Sequence, residues 1–135
     1  MNVVVVDQDP VTRTRLKRRL AKIPGIAVVG EASESEEAAA MIANRKPGIV
    51  ILDTELKHGS GIEVLRHIKQ LLLHPTVIMV TNQPSPELEC ACAVAGADFF
   101  FDKSREDRKV VATVRLLCTP EPGHDLSDPA GTLPD

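Results

Sequence analysis

Tryptophan and tyrosine are missing from this chain of 135 residues, and its only aromatics, Phe99, Phe100 and Phe101, stand in one run. A core must therefore be built from aliphatic side chains, which the hydrophobic fraction of 43% allows. Cys90, Cys92 and Cys118 form neither an even disulfide set nor the paired spacing of a zinc site. Cys90 and Cys92 stand two apart in a predicted helix, where they diverge, so small buried side chains are expected. The four histidines, His58, His67, His74 and His124, are scattered without metal-ligand spacing. No apolar run approaches the ~20 residues of a membrane span. The start, Met1-Asn2-Val3, has no charged segment ahead of a cleavable apolar one. A cytoplasmic location without membrane contact is expected. The net charge of -3 leaves no overall basic footprint for direct DNA binding.

What the chain does have is alternation. Apolar runs at 2–6, 26–31, 48–52, 76–81 and 98–102 are each followed by a segment of helical periodicity, which predicts βα units and a parallel sheet. The first helix opens at Asp9-Pro10, an acid at the cap and proline at the first position, and repeats Leu16, Leu20 and Ile23. The second begins at Ser33, with Glu36 completing a capping box. The third follows Gly59-Ser60-Gly61 and directs Ile62, Leu65, Ile68 and Leu72 inward. Ser85-Pro86 opens the fourth, with Leu88, Ala91, Cys92 and Ala95 on one face and Gly96 as its stop. Ser104 is the expected cap of the fifth, which carries Val110, Val111, Val114 and Leu117. Beyond Cys118, Pro120, Pro122, Gly123, Pro129, Gly131 and Pro134 replace large apolar residues. A domain over 1–118 and a disordered tail over 119–135, with no output domain, are expected.

Four polar residues close the apolar runs. Asp7 follows Val3–Val6, Asp53 follows Ile49–Leu52, Thr81 follows Thr76–Val80, and Lys103 stands just past Phe99–Phe101. If the runs are parallel strands, their carboxyl ends share the sheet edge where open α/β folds build ligand sites. Two carboxylates, a hydroxyl and an ammonium would converge there, a set suited to a divalent metal and a phosphoryl group. Singly, each has a plainer reading as a strand-end cap, a β-branched strand residue or a solvated charge. Four in this order are a stronger signal.

The chain resembles the receiver domains of two-component response regulators over about residues 1–117. The resemblance is carried by Val3-Val4-Val5-Val6-Asp7, by Ile49-Val50-Ile51-Leu52-Asp53 with Leu56 and Gly59-Ser60-Gly61, by Val77-Ile78-Met79-Val80-Thr81, and by Ala95-Gly96-Ala97-Asp98-Phe99-Phe100-Phe101-Asp102-Lys103. It implies a doubly wound, flavodoxin-like five-stranded parallel sheet in the order 2-1-3-4-5, with helices on both faces. It also implies a phosphoacceptor that catalyses its own phosphorylation and dephosphorylation and is not otherwise an enzyme. Asp53 would be the nucleophile, since an aspartate with a pKa near ~3.9 is already ionised at neutral pH. Mg²⁺ would offset the repulsion between that carboxylate and an anionic donor, held by Asp7, Asp53, Gln8 and the backbone carbonyl of Glu55. Lys103 and Thr81 would contact phosphoryl oxygens, and Thr81 with Phe100 would form the switch. The implied partners are a sensor histidine kinase or histidine phosphotransfer protein and a downstream protein target.

Three positions depart from the family pattern. Gln8 stands where a second acid is usual, which removes a charge worth roughly 1 to 4 kcal/mol at ~4 Å and effective dielectrics of 80 to 20. Asp9 and Glu55 are the candidates to compensate. Lys57 replaces a common proline, which predicts a less rigid loop. Ser104 replaces a proline often joined to the lysine by a cis bond, so Lys103 is expected to reach the site through a trans bond. In the first helix, Arg13, Arg15, Lys17, Arg18, Arg19 and Lys22 meet no acid between Val11 and Lys22, which suggests either a solvated face or docking to an acidic helical partner. Two other readings share these residues. One is a degenerate receiver that binds partners without phosphate. The other is a haloacid-dehalogenase-type phosphohydrolase with Asp7 as nucleophile and Asp9 as acid/base.

Overall fold

The computed structural model describes residues 1–118, so the tail expected over 119–135 lies outside the described residues. Strands β1 (Asn2–Val6), β2 (Ala27–Ala32), β3 (Ile49–Asp53), β4 (Thr76–Thr81) and β5 (Phe99–Asp102) alternate with helices α1 (Pro10–Leu20), α2 (Ser35–Arg45), α3 (Gly61–Gln70), α4 (Pro86–Ala95) and α5 (Asp107–Cys118). The sheet runs β2-β1-β3-β4-β5, and every neighbouring pair is parallel. The predicted order and helix placement hold. Strand ends differ by a residue or less from the apolar runs, because ladder pairing carries β3 through Asp53 and β2 through Ala32.

Why the central strands read as unbroken apolar runs follows from their surroundings. Both faces are covered. Val3, Val5, Ile49, Ile51, Ile78 and Val80 pack with Leu20, Ile23, Val110 and Val114, which places α1 and α5 on one face. Val4, Val6, Val50, Leu52, Val77 and Met79 pack with Ala38, Ile42, Val64, Leu65, Ile68 and Cys92, which places α2, α3 and α4 on the other. At roughly 1.5–3 kcal/mol for each fully buried aliphatic side chain, these two layers dominate the driving force. The phenylalanine run divides between them. Phe100 packs on the α2–α4 side and Phe101 on the α1–α5 side. Phe99, on the edge strand, is 36% exposed and stacks on Phe101 with ring centroids 6.2 Å apart.

Several local expectations are corrected by contacts from distant segments. The capping box at Ser33 does not form. The cap of α2 is Glu34, without a side-chain bond, because the residues before the helix pair with the loop after β3. The Lys57 amide donates to the Ser33 carbonyl (3.0 Å), and the Ser35 amide donates to the His58 carbonyl (2.9 Å). Proline at 57 would have no such donor. The loop expected to be loose is therefore laced to its neighbour. Gly59 adopts φ +84°, and a Cβ there would lie 2.1 Å from the Ser35 hydroxyl oxygen. A Cβ on Gly61 would lie 2.1 Å from the Asp53 carbonyl, so both glycines let this loop close.

Helix ends supply the other corrections. Ser60 caps α3, accepting from the Glu63 amide, and Val64 takes the buried place expected of Leu72. Leu72 lies past the end of α3, 78% exposed and left-handed at φ 57°. Ile23 is buried but also lies beyond its helix. Ser104 does not cap α5, which begins at Asp107. Asp9 and Ser85 do cap as expected, and Gly96 ends α4. Ala91 and Cys90 are exposed, while Cys92 is fully buried and Cys118 donates weakly to the Pro24 carbonyl at 3.5 Å.

Leu72 contributes little packing and carries the cost of a left-handed backbone, which is roughly 1–2 kcal/mol for a residue with a Cβ. Leu72→Gly is expected to raise the free energy of unfolding by about 0.5–1 kcal/mol, after the greater freedom of glycine in the unfolded chain is subtracted. Urea unfolding followed by circular dichroism measures it. A loss of stability would mean that Leu72 makes a contact the fold needs.

Candidate functional site

Parallel pairing brings the four strand-end residues to one edge. The Asp7 amide donates to the Ala32 carbonyl (3.0 Å) and continues the β1–β2 ladder by one rung. Asp53 is the last residue of β3 and Thr81 the last of β4. The Lys103 amide donates to the Thr81 carbonyl (2.7 Å), which fixes its backbone beside β4. From there its side chain crosses to the middle of the sheet. Lys103 Nζ lies 2.8 Å from Asp7 Oδ2 and 2.8 Å from Asp53 Oδ2. Asp7, Asp53 and Thr81 are all buried. No cis peptide occurs among the described residues, so the trans Lys103–Ser104 bond expected from the sequence is present and the lysine reaches the site.

The electrostatics follow from this burial. Removal from water pushes the Asp53 carboxyl up to about 6; hydrogen bonds from Lys103 and the Glu55 amide oppose the rise, and the Asp7 charge adds to it. For Lys103, burial works against the charged form, but hydrogen bonds and attraction from Asp53 and Asp7 outweigh it, so the ammonium titrates above its ordinary value. The lysine thus remains protonated and neutralises part of a buried two-carboxylate cluster. Thr81 Oγ1 accepts from the Gln83 amide (3.1 Å), which leaves the hydroxyl proton free to donate elsewhere.

The donor chemistry suits a hard cation. Asp7 Oδ1 accepts from the Asp9 amide (2.8 Å) and Asp53 Oδ1 from the Glu55 amide (3.1 Å), so each carboxylate is oriented and keeps spare lone pairs. Mg²⁺ takes one or two carboxylates and retains water, which fits this pair. Among the described residues, no three His, Cys, Asp or Glu side chains converge. A cation here would complete its shell from Gln8, a backbone carbonyl or water. The Gln8 and Glu55 side chains are exposed, and the Glu55 backbone borders the site through its bridge to Ser60.

Asp9 does not compensate for Gln8. Its carboxylate accepts from the Val11 amide (2.9 Å) and the Thr12 hydroxyl (3.0 Å), and these bonds favour the charged form and hold its pKa below the ordinary carboxylate range. Committed to capping α1, it is not an acid/base partner for Asp7, and the phosphohydrolase reading loses its second residue. The basic run of α1 is also opposed after all. Glu31 on β2 binds Arg13 (2.9 Å) and Lys17, and Asp107 on α5 binds Arg19 (2.8 Å). Arg15, Arg18 and Lys22 have no ion-pair partner among the described residues; Arg15 and Arg18, three apart, share one face of α1, and Lys22 follows in the turn past its end. Arg15 borders a cleft of about 310 Å³ between α1 and α5, next to Asp7 and Lys103.

Two neighbours of the site were not legible in the chain. Arg13 Nη1 donates to the Asp7 carbonyl (2.5 Å), an arrangement set by Glu31 eighteen positions away. Thr54, directly after Asp53, is buried with its hydroxyl oxygen unpartnered. In the metal-free protein, the raised Asp53 titration has a definite sign. The cost of its charge is present above about pH 6 and is relieved as the pH falls toward 4. Relative to Asp53→Asn, the wild type is expected to gain about 1–3 kcal/mol between about pH 7 and pH 4. Urea unfolding in a chelator measures this, and a constant difference across the window contradicts it.

Comparison with known proteins is consistent with this geometry. The family model described as the response regulator receiver domain matches residues 3–115. The response regulator UvrY of Escherichia coli (strain K12) is 30% identical over 117 residues, covering 87% of this chain and 54% of that one. The chain thus spans about half the length of the curated relatives it matches. Among solved structures, a LuxR-family two-component response regulator from Aurantimonas sp. SI85-9A1 superposes with a TM-score of 0.80 at 28% identity, covering 87% of this chain and 84% of that chain. The CheX-CheY-BeF3-Mg+2 complex from Borrelia burgdorferi gives a TM-score of 0.79 at 26% identity, covering 89% and 90%.

Proposed function

This chain belongs to the response regulator receiver domains of two-component systems, and from that premise we propose that Asp53 accepts a phosphoryl group and that the modification switches partner binding. The observation that carries the reading is Lys103 Nζ held 2.8 Å from each of two buried carboxylates at the carboxyl edge of the sheet. That is a preassembled charge cluster in which an anion can replace one lysine contact.

The donor is a phosphohistidine on a sensor histidine kinase or a histidine phosphotransfer protein. Asp53 attacks phosphorus with a carboxylate oxygen, the bond from phosphorus to the histidine nitrogen breaks, and that nitrogen leaves with the electron pair. Lys103 turns one ammonium proton from Asp53 toward a phosphoryl oxygen, and the Thr81 hydroxyl donates to another. Asp7 and Asp53 would hold Mg²⁺ together with Gln8 and the Glu55 carbonyl, and the ion supplies charge neutralisation between nucleophile and phosphoryl group. The protein serves as its own phosphoacceptor and does not turn over an external substrate.

Readout passes through Thr81 and Phe100. Phe100 is half-buried against the α2–α4 layer and has no ring hydroxyl, so repacking alone drives it. The exposed Arg15 and Arg18 of α1, unpaired among the described residues, with exposed Val11 on the same helix and Lys22 in the turn after it, support docking of an acidic helical kinase or phosphotransfer partner. The downstream target is a protein, with no direct DNA or membrane binding. Among the described residues no helix is long and apolar enough to cross a membrane, and a cytoplasmic location accompanies this reading. Gln8, exposed where a second acid would add charge, favours one competing reading, a receiver that binds partners without phosphate.

Intact mass after incubation with acetyl phosphate, with and without Mg²⁺, separates the two. A single phosphoryl adduct that requires Mg²⁺, disappears in Asp53→Ala and is reduced at least tenfold in rate in Asp7→Ala is the expected result. Absence of an adduct at every Mg²⁺ concentration would establish the phosphate-independent module.

A further inference from the structure

Lys103 has to start from one place to span both carboxylates, and the turn that carries it is built around its neighbour. Asp102 Oδ1 accepts from the Ser104 amide (3.0 Å), the Ser104 hydroxyl (2.9 Å) and the Arg105 amide (3.2 Å). The Asp102 amide donates to Glu106 Oε1 (2.9 Å), and the Asp102 carbonyl accepts from the Glu106 amide (2.8 Å). Between them, the Lys103 amide is committed to the Thr81 carbonyl (2.7 Å). Backbone groups on both sides of Lys103 are therefore tied down, the two that follow it, the Ser104 and Arg105 amides, through the Asp102 side chain. This is the behaviour of an aspartate closing a turn on its own following amides.

These bonds are not a helix cap. The α5 helix begins at Asp107, and the amides of Lys109 and Val110 in its first turn bond to the Glu106 carbonyl. The three bonds to Asp102 Oδ1 fall on residues 104 and 105, in the segment between Lys103 and that helix. They hold a turn whose only charged side chain directed into the site is Lys103. We propose that Asp102 is a positioning residue, whose carboxylate fixes the turn over 102–105 so that Lys103 reaches Asp7 and Asp53 through a trans bond to Ser104. The kinetic consequence rests on the phosphoacceptor reading; the placement of Lys103 does not. Misplacing a reacting or stabilising group by ~1 Å can cost ~10²-fold in rate.

The test uses three proteins: wild type, Asp102→Ala and Asp102→Asn. Asparagine keeps an Oδ1 that accepts the same three bonds, whereas alanine removes it. In ¹⁵N-labelled metal-free protein, the Lys103 ammonium should give a slowly exchanging side-chain resonance in wild type and Asp102→Asn, identified by its loss in Lys103→Met. It should be absent in Asp102→Ala. Phosphorylation by acetyl phosphate should slow at least tenfold in Asp102→Ala and stay within about twofold of wild type in Asp102→Asn. Mg²⁺ affinity, measured by isothermal titration calorimetry, should be unchanged or tighter in Asp102→Ala, because a displaced lysine no longer competes for the two carboxylates. A general collapse of the site would weaken Mg²⁺ binding along with phosphorylation, and that pattern overturns the proposal. So does an unchanged ammonium resonance in Asp102→Ala, or an Asp102→Asn protein that behaves like Asp102→Ala. If no protein accepts phosphate, the phosphoacceptor reading fails, while the resonance still decides where Asp102 puts Lys103.

Discussion

Two carboxylates buried side by side are tolerable only with a cation between them, and here that cation is Lys103. Like charges a few ångströms apart repel by about 1 to 4 kcal/mol at effective dielectrics of 80 to 20, and burial adds the cost of lost hydration. The ammonium offsets both. Because it arrives from the far end of the chain, the pairing ties β5 and the start of α5 to the ends of β1 and β3. An anion entering this edge has to bargain with the same lysine, so the contact that makes the unliganded fold tolerable is also the one that chemistry must rearrange.

The topology makes such a cluster attainable without strain. Parallel order β2-β1-β3-β4-β5 turns every carboxyl end the same way, and β1 and β3 are immediate neighbours at the centre. Below the edge, Val3–Val6 and Ile49–Leu52 are wholly apolar and buried on both faces, so the acids sit on a rigid floor. The α1 and α5 helices flank the edge and are clipped together by Arg19 and Asp107 at 2.8 Å. That pair is partly exposed, with roughly two-fifths of each side chain accessible, so its contribution lies in registration more than in energy.

What could be read in the chain was what depends on near neighbours. Strand alternation, the caps at Asp9 and Ser85, and four polar residues at the ends of apolar runs are local signals, and they located both the sheet and the cluster. Some misreadings involve a partner from a distant element, and others a helix end displaced from where its residue types suggest. Ser33 looks like a capping-box residue until Lys57 claims its carbonyl. Leu72 continues a helical spacing that the backbone has already left. The arginines of α1 look unopposed because Glu31 and Asp107 lie on other elements. Ser104 has the right residue type for a cap, but Asp102 takes its hydroxyl for the turn before the helix begins. In the phenylalanine run, strand alternation puts Phe100 and Phe101 on opposite faces, while the exposure of Phe99 follows from the strand being at an edge.

The lacing of Lys57 to Ser33 gives the acceptor loop a different kind of stiffness from the one a ring supplies. A proline restricts its backbone covalently, and that restriction is the same in any solvent. Two amide bonds restrict the loop only while they are closed, and their opening competes with water. The order of this segment is consequently a thermodynamic variable, adjustable by temperature or by cosolvents that solvate peptide groups. Its loosening would also release the backbone at the start of α2, because Ser33 and Ser35 hold the other ends of those two bonds.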